Sequence, residues 1–142
     1  MVDHDIATNK IDLIQRYLMR IKDKFVSKDL FLTDQDCQEL ILFNLHHAIQ
    51  TTMDLGSHII ADEGFGVPKE GREIFQILKK HDIITSDLSD SLSAMVGFRN
   101  ILVHEYVTLN LEQIPQMIER DLNDINEFCS QIFQYLKEIK TK

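Results

Sequence analysis

The feature that most constrains this chain is the spacing of its apolar side chains, which recur every three or four residues over most of its length. An α-helix turns once in about 3.6 residues, so this spacing places the apolar side chains on one helix face. No window shows the sustained alternation typical of a strand. Of five Gly and two Pro, three Gly and one Pro lie together in residues 64–71. The sequence therefore predicts an all-α fold with its main loop at these residues.

The apolar stripes predict four long helices, of which the first covers about residues 5–26. The second begins after Thr33, whose hydroxyl is placed to cap it, and it is apolar on more than one side. Such a helix is typically central, so we expect it to have several neighbours. Ser86 is expected to cap the next long helix, and Asn110 to start the last one with Pro115 in its first turn.

A short helix is predicted over about residues 70–81, and its inward side chains are expected to be Ile74, Ile77, Leu78 and His81. Gly56, inside the second long helix, marks a close approach between helices. A chain of 142 residues is about one domain long. We therefore expect a single domain over residues 1–142, built as an antiparallel bundle of four long helices and one short helix.

Composition excludes several functional classes. The chain has 15 Lys and Arg against 23 Asp and Glu, a net charge of −8, which argues against a protein that coats nucleic acid or anionic membrane. RNA contacts would have to be local, and Arg72, Lys79 and Lys80 on the short helix form one basic cluster. No stretch is long and apolar enough to span a membrane, and no secretory signal is visible, so a cytoplasmic protein is expected.

The remaining candidates for special chemistry are interpreted as structural. Cys37 and Cys129 lie on separate apolar stripes and are expected in the core, as are the Phe and Met side chains of the stripes. A group of polar side chains on the second long helix invites a metal hypothesis: His46, His47, Asp54 and His58. No second helix carries a matching Glu-x-x-His, so surface or interface positions are favoured and no metal is expected.

Residues 91–111 contain only two charged side chains, Arg99 and Glu105. Such a stretch is expected to be buried. Arg99 lies on an apolar stripe, at a position where Leu would be expected. The residues of this stripe are Leu88, Leu92, Met95, Arg99, Leu102 and Tyr106. An unpaired guanidinium in a core costs several kcal/mol. Arg99 therefore has a partner or lines a polar cleft.

The same segment carries Asn100, His104 and Tyr106. On a straight helix Asn100 and His104 project about 40° apart, whereas Arg99 and His104 project about 140° apart. Either the helix ends within residues 100–106 or a second copy of the segment completes the site. The apolar surroundings favour both together, so we expect a homodimer built around this helix.

The motif is similar to a known signature. Residues 99–106 match R-N-x(3)-H-x-Y, a form of the R-x(4–6)-H signature of HEPN-domain ribonucleases. The loop at residues 64–69, the helix at 72–78 and the lead-in at 95–98 also look like parts of that family. With the helical layout, these segments make the whole chain resemble the HepT toxins of the HEPN superfamily.

The resemblance implies an HEPN-like bundle and a metal-independent endoribonuclease, the toxin of a type VII-like toxin–antitoxin pair. Arg99 and His104 take the catalytic positions, with Asn100 as the supporting polar residue. The implied partners are an RNA substrate, such as tRNA or mRNA, and an MNT-type nucleotidyltransferase antitoxin that adds AMP to Tyr106. No cofactor, DNA or membrane partner is implied.

Elementary chemistry agrees with this interpretation. Metal-free RNA cleavage needs a base for the 2′-OH, an acid for the leaving 5′ oxygen and positive charge at the phosphate. Histidine suits the first two roles and Arg the third. The expected products are a 2′,3′-cyclic phosphate and a 5′-OH. Two alternatives stay open: a non-catalytic HEPN module that binds a nucleotide or docks a nucleotidyltransferase, and a buried polar network of Arg99 and His104 that only holds helices in register.

Overall fold

The computed structural model describes residues 1–104 and 109–140, apart from the side chains of residues 103, 104 and 140. Its helices are α1 (His4–Lys24), α2 (Lys28–Thr33), α3 (Gln35–Glu63), α4 (Gly71–Lys80), α5 (Ser86–His104) and α6 (Ile114–Lys140), and a turn of 3-10 helix at Leu111–Gln113 precedes α6. No strand occurs in these described ranges. The predicted all-α class and the four long helices are confirmed.

The long helices form a bundle around α3. Its inner positions are buried on several sides, and α3 packs against α1, α2, α4, α5 and α6, as its apolar pattern predicts. The thiol of Cys37, near the start of α3, lies 3.5 Å from the carbonyl oxygen of Lys24 at the end of α1. The backbone N–H of Asp3, which caps the start of α1, donates to Asp62 near the end of α3. Helices α1 and α3 therefore run antiparallel.

The start of α3 differs from the prediction. Asp34 is the capping residue, because its carboxylate accepts a hydrogen bond of 3.1 Å from the backbone N–H of Cys37. Thr33 instead ends α2, where its hydroxyl donates to the carbonyl oxygen of Asp29. The sequence pattern missed α2 because six residues are too few to show a helical period.

The other predicted helix starts are close to the observed ones. The Thr85 hydroxyl accepts from the backbone N–H of Leu88, so Thr85 caps α5 rather than Ser86, which is the first helical residue. The Asn110 side chain accepts from the N–H of Glu112 and starts the turn before α6, and Pro115 lies in the first turn of α6. Both predictions for the last helix are confirmed.

The loop before α4 turns through Gly64 and Gly66, whose φ angles are +70° and +114°. These values lie in the left-handed region that favours glycine. His81, predicted to point inward from α4, is exposed and stacks on Phe65 of this loop with 3.7 Å between ring centroids. Stacking on Phe65 stabilises the His81 ring at the surface. In an apolar core its ring nitrogens would lose their hydrogen bonds to water, which costs free energy.

The core is mostly as the stripes predict, with Cys129 buried and Cys37 half-buried. The exposed large apolar side chains include Met19, Phe43 and Phe133, none of which belongs to the predicted stripes. None of the helices in the described part of the chain combines the length and apolarity needed to cross a bilayer.

Candidate active site

Helix α5 positions the motif. Its stripe Leu88, Leu92 and Met95 is buried and fixes the rotation of the helix in the bundle. Arg99 is one turn further on the same line, and its side chain is half-buried. The predicted place of Arg99 on an otherwise apolar stripe is thus confirmed. The packing of the first three turns of α5 therefore determines the direction in which the Arg99 side chain projects.

The guanidinium of Arg99 has an unused donor. Its Nε atom is buried and has no hydrogen-bond partner among the described residues. A buried donor without a partner costs about 1–3 kcal/mol, so such groups are rare in folded proteins and are commonly found where a ligand binds. The Nε atom therefore does not meet the first of the two predicted conditions, a partner among the described residues, and the polar cleft at Arg99 stays a prediction.

His46 of α3 lies on the Arg99 side of α5. Burial lowers the pKa of the half-buried His46 imidazole below its usual range, and the positive charges of His47 and Arg99 lower it further. His46 lines the same groove as Leu102, which follows Arg99 by one helical turn. The lowered pKa favours the neutral imidazole, which can donate one hydrogen bond and accept another.

A groove of about 370 Å³ runs between α3 and α5 at this point. Leu102, one turn after Arg99, forms its α5 side, and Glu39, Leu42, Phe43 and His46 form its α3 side. The groove is open to solvent and combines apolar walls with one carboxylate and one imidazole. Leu102 follows Arg99 by one helical turn, so the groove lies about one turn of α5 from Arg99.

Asn100 points away from Arg99 and is exposed. It belongs to a second stripe of α5 with Ser93 and Gly97, at steps of four and three residues. A polar groove of about 590 Å³ lies along this stripe, and its lining residues are Arg72, Gln76, Lys79, Asp90, Ser93 and Ala94. The Arg72 Nη2 atom is 3.3 Å from the place that a Cβ on Gly97 would take. Two of the three predicted basic residues, Arg72 and Lys79, therefore border the motif helix.

His104 is the last residue of α5. Its side chain, together with Tyr106, lies outside the described residues. The structure therefore places Arg99 and Asn100 on two different faces of α5, and their convergence with His104 and Tyr106 stays a prediction.

Sequence reasoning missed Phe43 and His46 as residues of the groove near the motif, since it gave Phe43 no role and assigned His46 to a surface or interface. A signal was present: both residues lie in residues 40–53, the longest stretch without a formal charge. The contact between α3 and α5 was needed to connect them with Arg99. For metals, the described residues hold no group of three or more His, Cys, Asp or Glu side chains suited to one ion.

Comparison with known proteins places this chain in a family. The sequence matches the family described as ribonuclease HepT-like over residues 11–132. It is 34% identical over 129 residues to the mRNA nuclease HepT of Shewanella oneidensis, which covers 91% of this chain and 97% of that protein. It is 33% identical over 134 residues to the tRNA nuclease HepT of Aphanizomenon flos-aquae, with 92% and 90% covered.

A solved structure agrees with the sequence comparison. The tri-AMPylated Shewanella oneidensis HEPN toxin, solved in complex with an MNT antitoxin, superposes with a TM-score of 0.87 at 33% identity. The superposition covers 93% of this chain and 99% of that one. The chain belongs to the ribonuclease HepT-like family. The predicted resemblance is thereby confirmed.

Proposed function

We propose that the protein is a metal-independent endoribonuclease and the toxin of a toxin–antitoxin pair that acts in the cytoplasm. Arg99, Asn100 and His104 are its catalytic residues. The observation that carries the proposal is the buried, unpartnered Nε of Arg99 on the motif helix of a HepT-like chain. Two relatives named as an mRNA nuclease and a tRNA nuclease support RNA as the substrate class.

The reaction is an internal transesterification. One imidazole takes the proton of the 2′-OH, and the 2′ oxygen attacks the adjacent phosphorus. The bond from phosphorus to the 5′ oxygen breaks, and a second acid returns a proton to that oxygen. The products are a 2′,3′-cyclic phosphate and a 5′-OH. Every proton transfer in this reaction is assigned to a side chain, so the mechanism does not require a metal ion. The planar guanidinium of Arg99 stabilises the additional negative charge on the phosphate oxygens.

The geometry of α5 supports a composite site. Residues at the spacing of Arg99 and His104 project about 140° apart on an ideal straight helix, a separation that favours a site shared by two copies. A homodimer built around α5 brings His104 of one copy toward Arg99 of the other. The cleft then contains two copies of His104, which serve as acid and base in turn.

The polar groove between α4 and α5 explains how a chain with a net charge of −8 binds RNA. Arg72 and Lys79 face this groove with only Asp90 as the opposing charge. A local cationic track attracts phosphate groups although the overall field is negative, because exposed charges are screened beyond about 10 Å at ordinary salt. The track follows the α5 face that carries Asn100.

Neutralisation is proposed to occur by a nucleotidyltransferase antitoxin of the MNT type that modifies Tyr106. The Tyr106 oxygen would attack the α-phosphorus of ATP, pyrophosphate would leave, and a base of the transferase would accept the phenolic proton. Tyr106 is two residues from His104, so an attached AMP places a charged, bulky group at the RNA site. The AMPylated state of the Shewanella toxin structure supports this part of the proposal.

The test uses growth and RNA cleavage together. The wild-type chain is expressed without an antitoxin beside Arg99→Ala, His104→Ala and two controls, Arg16→Ala and His4→Ala on α1. Wild type and both controls are expected to stop growth and to cleave RNA in EDTA, leaving 2′,3′-cyclic phosphate ends. Each motif variant is expected to lose about 10³-fold in rate.

Two results would contradict the proposal. Activity that EDTA removes, or 5′-phosphate products, would rule out the metal-free mechanism. Folded wild type without toxicity or cleavage would favour the binding-module alternative. For the antitoxin, Tyr106→Phe is expected to stay toxic when the transferase is co-expressed, and neutralisation of this variant would exclude Tyr106 as the modified group.

A further inference from the structure

An aromatic cluster on α1 and α3 lies outside the motif. His47 is its centre: its ring centroid is 5.6 Å from that of Tyr17, 5.0 Å from that of His46 and 4.3 Å from that of Phe43. Phe43 is 58% exposed. Its ring contacts the tilted ring of His47, at an interplanar angle of 54°, and more than half of the side chain is open to solvent.

This cluster borders the groove beside Arg99. Phe43 and His46 line the groove from α3, and Leu102 closes it on α5 one turn after Arg99. Its position is therefore about one helical turn from the phosphate that Arg99 is proposed to hold. A base and its own phosphate in RNA are separated by a comparable distance, so the base of a nucleotide bound at Arg99 is within reach of this groove.

The charges in the groove favour a base over a phosphate. Glu39 lines the same cavity, and its carboxylate repels a phosphate but accepts hydrogen bonds from the N–H groups of a base. One Glu39 oxygen already accepts from Gln35 at 3.1 Å, which orients the carboxylate. Burial lowers the pKa of the half-buried His46, which favours the neutral imidazole and directional hydrogen bonds over positive charge.

We propose that Phe43 and His46 form a binding subsite for the nucleobase adjacent to the scissile phosphate. Phe43 provides the surface on which the base stacks, and His46 hydrogen-bonds to the same nucleotide. Exposed aromatic side chains are the usual platforms for single-stranded RNA. The inference rests on the proposed ribonuclease function and adds to it the residues that select and position the substrate.

The chain offers a matched control. Phe133 on α6 is 50% exposed, so Phe133→Ala removes the same ring from a comparable surface position. The second pair of variants is His46→Gln, which keeps hydrogen-bonding groups but loses the imidazole, and His81→Gln, which changes an exposed imidazole stacked on Phe65. Thermal melting of all four variants checks that each is folded.

The experiment measures kcat/KM on a short single-stranded RNA that the enzyme cuts once. Two further substrates carry an abasic nucleotide on one or the other side of the cut. Phe43→Ala is expected to reduce kcat/KM about 10-fold or more on intact RNA, and Phe133→Ala less than about twofold. One abasic substrate is expected to be cut poorly by wild type and no worse by Phe43→Ala, because the base that stacks is already missing.

The outcomes separate this inference from the proposed function. Equal activity of Phe43→Ala and Phe133→Ala, with cleavage still dependent on Arg99, overturns the subsite and leaves the ribonuclease intact. An equal loss on intact and both abasic substrates overturns it as well, since the ring would not act through a base. If wild type cleaves no RNA, both proposals fail.

A second copy of the chain is the competing occupant of this surface. Sedimentation of wild type and Phe43→Ala at the assay concentration distinguishes it. A dimer that dissociates in Phe43→Ala, with activity restored when the concentration is raised, shows that Phe43 belongs to a protein interface and overturns the subsite. An unchanged mass together with the abasic result supports it.

Discussion

The two flanks of helix α4 differ at the glycines that face them. On the α3 side, a Cβ on Gly56 would lie 2.6 Å from Ile74 Cγ2 and 3.3 Å from Leu78 Cδ1, so the two helices are in direct apolar contact. On the α5 side, a Cβ on Gly97 would meet only Arg72 Nη2, at 3.3 Å, whereas the start of α4 packs closely on α5, since a Cβ on Gly71 would lie 2.8 Å from Val96 Cγ1. Gly56 and Gly97 both lie within long helices, yet the first faces apolar side chains and the second faces the end of a cationic side chain.

The difference teaches how this small bundle separates stability from binding. The α3 flank buries Ile74 and Leu78 and excludes water, which stabilises the fold. On the α5 flank, the exposed Arg72 and Lys79 line the polar groove together with Ser93 of α5. Substitutions on the first flank should change unfolding, and substitutions on the second, or at Arg99, should change activity.

The largest effect is expected at Arg99. Arg99→Ala should lower the cleavage rate about 10³-fold and change the free energy of unfolding by less than about 1 kcal/mol, because the Nε donor it removes has no partner. Arg99→Lys should lose at least about 10-fold, since an ammonium lacks the planar fork. Cleavage rates and urea unfolding check this. A large loss of stability in Arg99→Ala would instead support the buried-network alternative.

At Gly56 the expected effect is on stability. Gly56→Ala should lower the free energy of unfolding by about 1–3 kcal/mol, because the added methyl overlaps Ile74 of α4. The matched control is Gly97→Ala, which meets only a flexible side-chain end and should stabilise α5 by up to about 1 kcal/mol. Chemical denaturation measures both. Equal shifts in the two variants would mean that the two flanks of α4 do not differ.

A third region, α6, contains a buried carboxylate. Burial raises the pKa of Asp121 from 3.8 to about 6, and the guanidinium of Arg120, whose Nε is 3.7 Å away, offsets this only in part. The folded protein therefore binds the proton more tightly than the unfolded chain does. The contribution of Asp121 to stability is greatest below about pH 4 and is lost as the pH rises through about 6.

Asp121→Asn should remove this dependence. Relative to wild type, the variant is expected to gain stability between pH 4 and pH 7, by at most about 3 kcal/mol, the equivalent of the pKa change. Thermal unfolding of both proteins at the two pH values measures the gain, and comparison of the pair cancels the other titrating groups. A stability difference that does not vary with pH would show that Asp121 ionises normally.

The smallest effect is expected in the polar groove. Replacing Arg72 and Lys79 by Gln should weaken binding of a non-cleavable RNA about 3- to 10-fold at low salt and reduce the salt dependence of binding. Replacing Arg20 and Lys24 on α1 by Gln makes the same change in net charge elsewhere. If both double variants weaken binding equally, only the total charge matters and the groove has no special role.

The fold was largely predictable because helical periodicity is a local property. The spacing of apolar residues identified all four long helices, and Gly56 was correctly predicted as a close contact. The errors in helix boundaries lie where two neighbouring residues can both cap a helix. Thr33 and Asp34 are adjacent and both can cap a helix, and the choice between them depended on α2, which six residues were too few to reveal.

The candidate site was predictable only in part. Arg99 was identified because it is a charged residue on an apolar stripe, and burying an unpaired guanidinium costs several kcal/mol. The sequence alone also determined the family resemblance and the linear order of Arg99, Asn100, His104 and Tyr106. The surroundings of Arg99 were decided by the tertiary structure: α3 brings His46 and Phe43 to it from more than 50 residues away in the chain. Periodicity predicts the helix face on which a side chain lies. Only the packing of the helices decides which residues of another helix that face contacts.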